Sequence, residues 1–299
     1  MIQIDSSKLK SEIQNRYPIF STSEWIPIIN GDECLVWRVD DKVVRVSPSW
    51  RTVEELQWVH DLTLHCSQTI PEVVQPLKAM DESTLFVLDG YPVTVFPFVE
   101  GDSLDVDNDN LRNESARILA KIHHATVNWT DQRPRPASKS SRPQSLPREH
   151  YPDVLRDEAF DAWEASLANL GLTIAPIHGD YYSRNVLATE TMITGVIDWD
   201  EADITYLMAE VGWCIWEFCQ NDAGDDLVLS RARDFVDAYL ENNTVCPSSE
   251  LDHAINFIRL RLRNEAVAYL ARKARGEGWD KAYTEAEIRA FVTLRDVKL

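Results

Sequence analysis

Between residues 177 and 200 the chain sets three oxygen-bearing side chains at the ends of two short strands, and this spacing constrains its fold more than any other feature. The segment reads Ile177-His178-Gly179-Asp180-Tyr181-Tyr182-Ser183-Arg184-Asn185-Val186-Leu187, followed by Gly195-Val196-Ile197-Asp198-Trp199-Asp200. Residues 186–188 and 193–197 predict a hairpin around Thr189 to Met192. Asn185 and Asp198 flank matching ends of the two strands, so pairing brings them side by side. A side-chain carbonyl beside a carboxylate offers hard oxygen ligands suited to Mg2+, an ion that also takes oxygens from phosphates. Asp180, at the other end of the tight loop from Asn185, is then free to face a hydroxyl nucleophile near the metal.

Around this segment the pattern changes from strands to helices at Pro97. The first hundred residues read mostly as strands with one helix. Leu35-Val36-Trp37-Arg38-Val39 and Val43-Val44-Arg45-Val46 form a hairpin joined by Asp40-Asp41-Lys42, although the turn lacks the favoured glycine. A second hairpin pairs Leu85–Leu88 with Val93–Phe96 around Asp89-Gly90. Between them, Val53, Leu56, Val59 and Leu62 are spaced for one buried face of a helix over 51–63.

Beyond Pro97, Leu111, Ser115, Ile118, Leu119 and Ile122 mark an amphipathic helix that opens after the cap-rich Asp105–Asp109. Further helices fit 206–219, 226–241, 251–275 and 284–296. Residues 131–148 mix Pro134, Pro136, Pro143 and Pro147 with Arg133, Arg135, Lys139, Arg142 and Arg148. Such a stretch buries too little apolar surface to fold alone, so it reads as a mobile surface insertion, passive rather than a lid. The resulting expectation is a β-rich lobe over residues 1–97, joined near Phe96-Pro97-Phe98 to a helical lobe over 98–299.

Composition narrows the partners. Thirty Lys plus Arg against 49 Asp plus Glu give a formal net charge of −19, which argues against nucleic acid, since phosphate contacts need a basic face. The same charge suits solubility and can steer a cation into an acidic cleft. No basic-then-apolar leader opens the chain and no apolar run approaches a membrane span, so no membrane partner is expected. Cys34, Cys66, Cys214, Cys219 and Cys246 form no C-x-x-C pair; their odd number fits a reducing, cytoplasmic setting better than a disulfide framework.

The 177–200 segment resembles the aminoglycoside phosphotransferase and choline kinase group, small-molecule relatives of the protein kinases. Their catalytic loop is H-G-D-x-x-x-x-N, followed by an I-D-[WFL] element. Four such fixed positions arise by chance in roughly one chain in 500. The resemblance implies an α+β, protein-kinase-like two-lobed fold with a small β-rich N-lobe and a larger helical C-lobe. It also implies ATP and Mg2+ as cofactors and a small-molecule hydroxyl acceptor. Asp180 would be the catalytic base or orient the acceptor, and Asn185 and Asp198 would hold Mg2+ against the phosphates. His178 would brace the loop.

By the same resemblance Arg45 takes the strand position that contacts the α- and β-phosphates, and Glu55, on the following helix, pairs with it. Phe96 and Phe98 fall at the hinge and would flank the adenine. The phosphate-covering loop departs from the protein-kinase pattern, since Asn30-Gly31-Asp32-Glu33-Cys34 carries a single glycine. Asp200 reads as a cap for the next helix or a partner of metal-site water, the cap being favoured. Glu201 and Asp203 are further candidates for a cationic acceptor.

Trp213, Trp216 and Glu217, with Glu265 and Tyr269, would suit an ammonium-bearing acceptor, although tryptophan at helical spacing is more often core. The acceptor could be an aminoglycoside-like antibiotic. Glu55-Leu56-Gln57-Trp58 resembles the homoserine kinase branch, which keeps a homoserine- or choline-type amino alcohol open. A catalytically silent nucleotide-binding relative is a further alternative, weighed against by the intact Asp180, Asn185 and Asp198. A protein kinase is disfavoured because no activation segment closes in A-P-E.

Overall fold

The structure, a computed structural model, describes residues 2–18, 24–28, 33–131, 133–136 and 146–299. Its first helix, α1 (Ser6–Arg16), is not anticipated from the sequence. Asp5 caps it, accepting from the Ser7 and Lys8 amides. Only Leu9 and Ile13, one turn apart, then Tyr17, are buried beneath the sheet. So sparse an apolar stripe carries little periodic signal.

The sheet that α1 covers is antiparallel, in the order β1-β2-β3-β5-β4. It comprises β1 (Ile26–Pro27), β2 (Leu35–Val39), β3 (Lys42–Val46), β4 (Leu85–Leu88) and β5 (Tyr91–Pro97). Asp40, at φ 56°, supplies the turn conformation that glycine usually provides. Asp89 and Gly90 both have positive φ, as a two-residue hairpin turn requires. The glycine-poor loop of the sequence analysis lies outside the described residues at 29–32.

Helix α2 (Val53–Cys66) follows β3, capped by Thr52, whose hydroxyl accepts from the Glu55 amide at 3.0 Å. Leu56, Val59 and Leu62 are buried as expected, but Val53 sits in the exposed first turn. Trp58, Val59, Leu62 and Cys66 pack into the core of the large lobe rather than that of the sheet. Each such side chain stabilises the packing by about 1.5–3 kcal/mol, so α2 is held mainly from below.

After β6 (Asp102–Ser103), helix α3 (Asp109–Val127) opens at its Asn108 cap and buries all five expected positions. Helix α4 (Glu158–Ser166) was not anticipated; its buried Phe160 lies beneath the Arg259 and Arg263 guanidiniums. Strand β7 (Ile174–Ile177) leads into the loop that carries Asp180. Strands β8 (Val186–Ala188) and β9 (Ile193–Val196) form the expected hairpin, with Val186 opposite Val196. Strand β10 (Asp203–Tyr206) returns antiparallel to β7. Helices α5 (Leu207–Cys219), α6 (Leu229–Asn242), α7 (Ala254–Ala274) and α8 (Lys281–Thr293) complete the large lobe, with α5 buried almost throughout. Among the described residues no helix is long and apolar enough to cross a membrane.

Candidate active site

His178 ends β7 fully buried and makes two bonds that shape the following loop. Its Nε2 donates to the Ile197 carbonyl at 2.9 Å, and its Nδ1 accepts from the Asp180 amide at 3.2 Å. His178 thereby ties Asp180 to Ile197, at the end of the segment that carries Asp198. Gly179 has φ +83° and lies against the Glu201 backbone, so only glycine fits there. Asn185 closes the loop, its Nδ2 donating to the Asp180 carbonyl at 2.9 Å and to Asp180 Oδ2 at 3.0 Å. Burial pushes the Asp180 carboxyl above the ordinary aspartate range, against the pull of His178 and Arg261.

The β8–β9 register brings Asn185 and Asp198 to neighbouring strand ends, since the Ile197 amide donates to the Asn185 carbonyl at 2.9 Å. With Asn185 Nδ2 committed to Asp180, its Oδ1 is the atom left for a cation. Asp198 adopts φ 60° and leaves 52% of its side chain open to the cleft. An amide oxygen and an accessible carboxylate make a donor set that fits a hard divalent ion.

The two lobes enclose a cleft of about 940 Å³. Its walls include Phe96 and Phe98 from the hinge, Arg45 from β3, and Asn185 and Asp198 from the large lobe. Arg45 lies over the Phe96 ring and Arg38 over Phe98, the latter at 3.7 Å. Arg45 bonds the Asp200 carboxylate and approaches Asp198 at 3.4 Å. Burial disfavours its charge, but Asp200 and then Asp198 outweigh that and hold the guanidinium protonated beyond its usual range.

Two expectations are corrected here. Glu55 does not pair with Arg45: its Oε1 accepts from Arg51 at 2.9 Å and from Arg135 at 2.8 Å. Arg45 is drawn to Asp200 instead, which lies buried beside it. Nor does Asp200 cap a helix; β10 intervenes before α5, and its carboxylate is buried between Arg45 and Arg51. Burial would raise the Asp200 carboxyl, but Arg45 holds it below the usual range. Glu201 is likewise engaged, with Arg51. In the described part of the 131–148 stretch, Arg133 and Arg135 bond to α2.

Beyond Asp180, on the α5 side, Glu217, Glu265 and Glu287 surround one guanidinium, Arg261. Arg261 donates to Glu265 at 2.6 Å and stacks on Trp213. Tyr283 donates to the other Glu265 oxygen at 2.9 Å. Glu287 is 3% exposed and its Oε2 has no partner. Burial, reinforced by Glu265, pushes Glu217 up to about 7 and Glu287 up to about 8. Trp213 and Trp216 are buried in the core, as their helical spacing suggests.

The residue that anchors the loop from beneath lies outside the loop motif, on α5. Glu210, buried on α5, accepts from the Gly179 amide at 2.6 Å, the His178 amide at 3.2 Å and His123 Nε2 at 2.9 Å. His123 Nδ1 continues the network to the Tyr239 hydroxyl at 2.8 Å. Burial works against the Glu210 charge, yet the His123 bond and the backbone donors hold its carboxyl below the ordinary range. A Glu within an apolar helical run was the available signal, because such a residue needs buried partners.

The pattern of the phosphotransferase enzyme family matches residues 25–243. A homoserine kinase of Methylobacillus glycogenes is 27% identical over 207 residues, covering 68% of this chain and 64% of that protein. The chain therefore matches slightly less than two thirds of that relative's length. An amicoumacin kinase solved in complex with AMP-PNP and Ca2+ superposes with a TM-score of 0.72 at 13% identity, covering 98% of this chain and 93% of that one. A microcompartment-associated aminopropanol kinase gives 0.68 at 17% identity, covering 97% and 95%.

Proposed function

The chain belongs to the phosphotransferase enzyme family, and on that premise we propose that it transfers the γ-phosphoryl group of ATP to a hydroxyl of a small, amine-bearing molecule. The observation that carries this reading is that Asn185 and Asp198 line one interlobe cleft and that Asn185 is hydrogen-bonded to Asp180. Asn185 Oδ1 and the Asp198 carboxylate would hold Mg2+, which when bound neutralises phosphate charge and orients the γ-phosphoryl group. Arg45 would turn from Asp198 toward the phosphates, and Phe96 and Phe98 would flank the base. Glu55 would act at one remove, by fixing α2.

Asp180 orients the acceptor hydroxyl and takes its proton as the new O–P bond forms. The bond from γ-phosphorus to its bridging oxygen breaks, and ADP leaves with that electron pair. The three glutamates around the single Arg261 guanidinium suit an ammonium group on the acceptor, whose charge would draw the raised Glu217 and Glu287 carboxyls into their ionised forms. Both an antibiotic amine and an amino alcohol meet that requirement. The homoserine kinase relative and the aminopropanol kinase fold neighbour support the compact amino alcohol as a specific alternative. The unpaired thiols fit a reducing cytoplasm.

The test is acceptor-dependent ADP release with Mg-ATP across aminoglycosides, macrolides, cyclic peptides, homoserine and choline-like alcohols. Turnover with one class, lost in Asp180→Asn while nucleotide still binds, is the expected result. Undiminished turnover in that variant would remove Asp180 from its role, and a wild-type protein with no nucleotide affinity would overturn the kinase reading.

A further inference from the structure

Arg261, on α7, is fixed by one bond and one stack. Its Nε donates to Glu265 Oε1 at 2.6 Å, and its guanidinium lies over the buried Trp213 ring, 4.2 Å from the centroid. Its Nη1 and Nη2 bond to nothing among the described residues, and 41% of its side chain is exposed. Two terminal nitrogens of a held, planar guanidinium form a pair of donors that matches a carboxylate. An exposed pair four residues apart on a helix contributes little to stability, so maintenance of the fold is a weak account of this arrangement.

The surroundings supply the complementary half of a site. Burial pushes the carboxyls of Asp180, Glu217 and Glu287 upward, and Arg261 is among the charges that pull each of them back. Glu287 Oε2 is buried without a partner. The region beside Asp180 therefore holds an unpaired set of donors and an unpaired acceptor oxygen within one electrostatic cluster. Its charge agrees with this division. With Glu217 pushed up to about 7 and Glu287 up to about 8, by burial and then by Glu265, the cluster is nearer to neutral at pH 7 than three glutamates suggest. A polycation gains little there. A molecule that carries one anion and one cation meets a partner for each.

We propose that Arg261 is a specificity-determining residue whose Nη1 and Nη2 take a carboxylate of the acceptor while Glu217 and Glu287 take its ammonium group, which makes the acceptor a small hydroxy amino acid. This rests on the kinase reading above and narrows it. An antibiotic polyamine has no group for the Arg261 donors, and a simple amino alcohol fills only half of the site. Arg261 keeps its Nε bond to Glu265 while its terminal nitrogens bind. The hydroxyl is then the polar group of the acceptor left for Asp180.

The test titrates wild type, Arg261→Gln and Arg261→Lys by calorimetry, with and without Mg-AMP-PNP. The probes are serine, threonine and homoserine, the amines that lack only their carboxylates (ethanolamine, isopropanolamine and propanolamine), and kanamycin as a polycation. ADP release from Mg-ATP is followed with the same compounds. Wild type should bind its best amino acid at least about a hundredfold more tightly than the matching amine. Arg261→Gln should abolish that margin by weakening the amino acid, with the amine bound as well or better because a competing cation is gone. Arg261→Lys should keep part of the margin, since it has the charge without the planar pair of donors. A wild type that prefers the amine or kanamycin, or that binds none of these compounds, would overturn the proposal. So would a margin that survives in Arg261→Gln, or an equal loss of amino acid and amine in that variant. Weaker binding of Mg-AMP-PNP by Arg261→Gln would give the donors to a phosphate instead. If wild type shows the margin but neither binds Mg-AMP-PNP nor releases ADP, the kinase reading falls and the carboxylate site stands.

Discussion

Gly179 packs directly against the carbonyl of Glu201, so closely that a Cβ at 179 would run into that backbone. The contact joins the loop that carries Asp180 to the turn before β10. Gly179→Ala therefore meets two obstacles: the positive φ, about 1–2 kcal/mol for a non-glycine residue, and a collision that only backbone movement relieves. Turnover should fall at least about a hundredfold and the melting temperature should drop by several degrees. Gly171→Ala is the control, since its φ is +67° but nothing lies within 4 Å of the added Cβ. It should cost about 1 kcal/mol and leave turnover unchanged. Equal behaviour of the two variants in melting and turnover assays would show that the Glu201 contact is unimportant.

Glu210→Gln replaces an anchor that accepts three hydrogen bonds with an amide that offers one oxygen. The new NH2 must face a backbone donor of His178 or Gly179, or the His123 ring. Losing a buried, fully bonded carboxylate costs about 2–4 kcal/mol, and misplacing the loop should lower kcat more than it raises KM. The pH dependence has a definite sign. The folded Glu210 carboxyl titrates below its unfolded value, so its stabilisation is complete above the ordinary glutamate range and disappears as pH falls through the depressed folded value. Urea denaturation at neutral and acid pH should show the gap between variant and wild type narrowing in acid. A gap that is constant with pH would mean that charge is not what Glu210 supplies.

Much of this site was legible because its determinants are local. The β8–β9 hairpin spans only Val186 to Val196, and its register alone juxtaposes Asn185 and Asp198. Asp40 and Gly90 likewise announce turns at short range. The partners of Glu55 were not legible, because Arg135 is 80 residues away and Asp200 intervenes from another element to claim Arg45. A chain that offers three arginines and four carboxylates at one junction admits several pairings, and only packing chooses among them. Glu210 was missed for a related reason: its acceptors are satisfied by backbone amides, which leave no mark in side-chain spacing. Helix α1 was missed because two buried positions and a capping Asp give too faint a period.

The raised Glu217 and Glu287 carboxyls make the cluster around Arg261 sensitive to mildly basic pH. In the folded protein Glu287 titrates near 8 and Glu217 near 7, against an ordinary value of 4.5. Because these folded values are raised, the folded state binds more protons than the unfolded chain between pH about 4.5 and about 8. Stability therefore declines as pH climbs through that window, by at most about 1.4 kcal/mol per unit for each such group. Glu287→Gln removes one contributor while keeping a hydrogen-bonding group beside Tyr283. Its melting temperature should match wild type near pH 5 and exceed it by a few degrees near pH 9. A difference that does not vary with pH would show that Glu287 is ionised throughout. Remaining charges facing this carboxyl, Glu265 and Glu217 on one side and Arg261 on the other, persist in the variant, so the comparison isolates a single proton. Because a bound ammonium favours both ionised carboxylates, acceptor binding near pH 7 should release protons, measurable as a buffer-dependent heat in calorimetry. That release should shrink in Glu287→Gln, and an acceptor that binds without releasing protons in wild type would place its amine elsewhere.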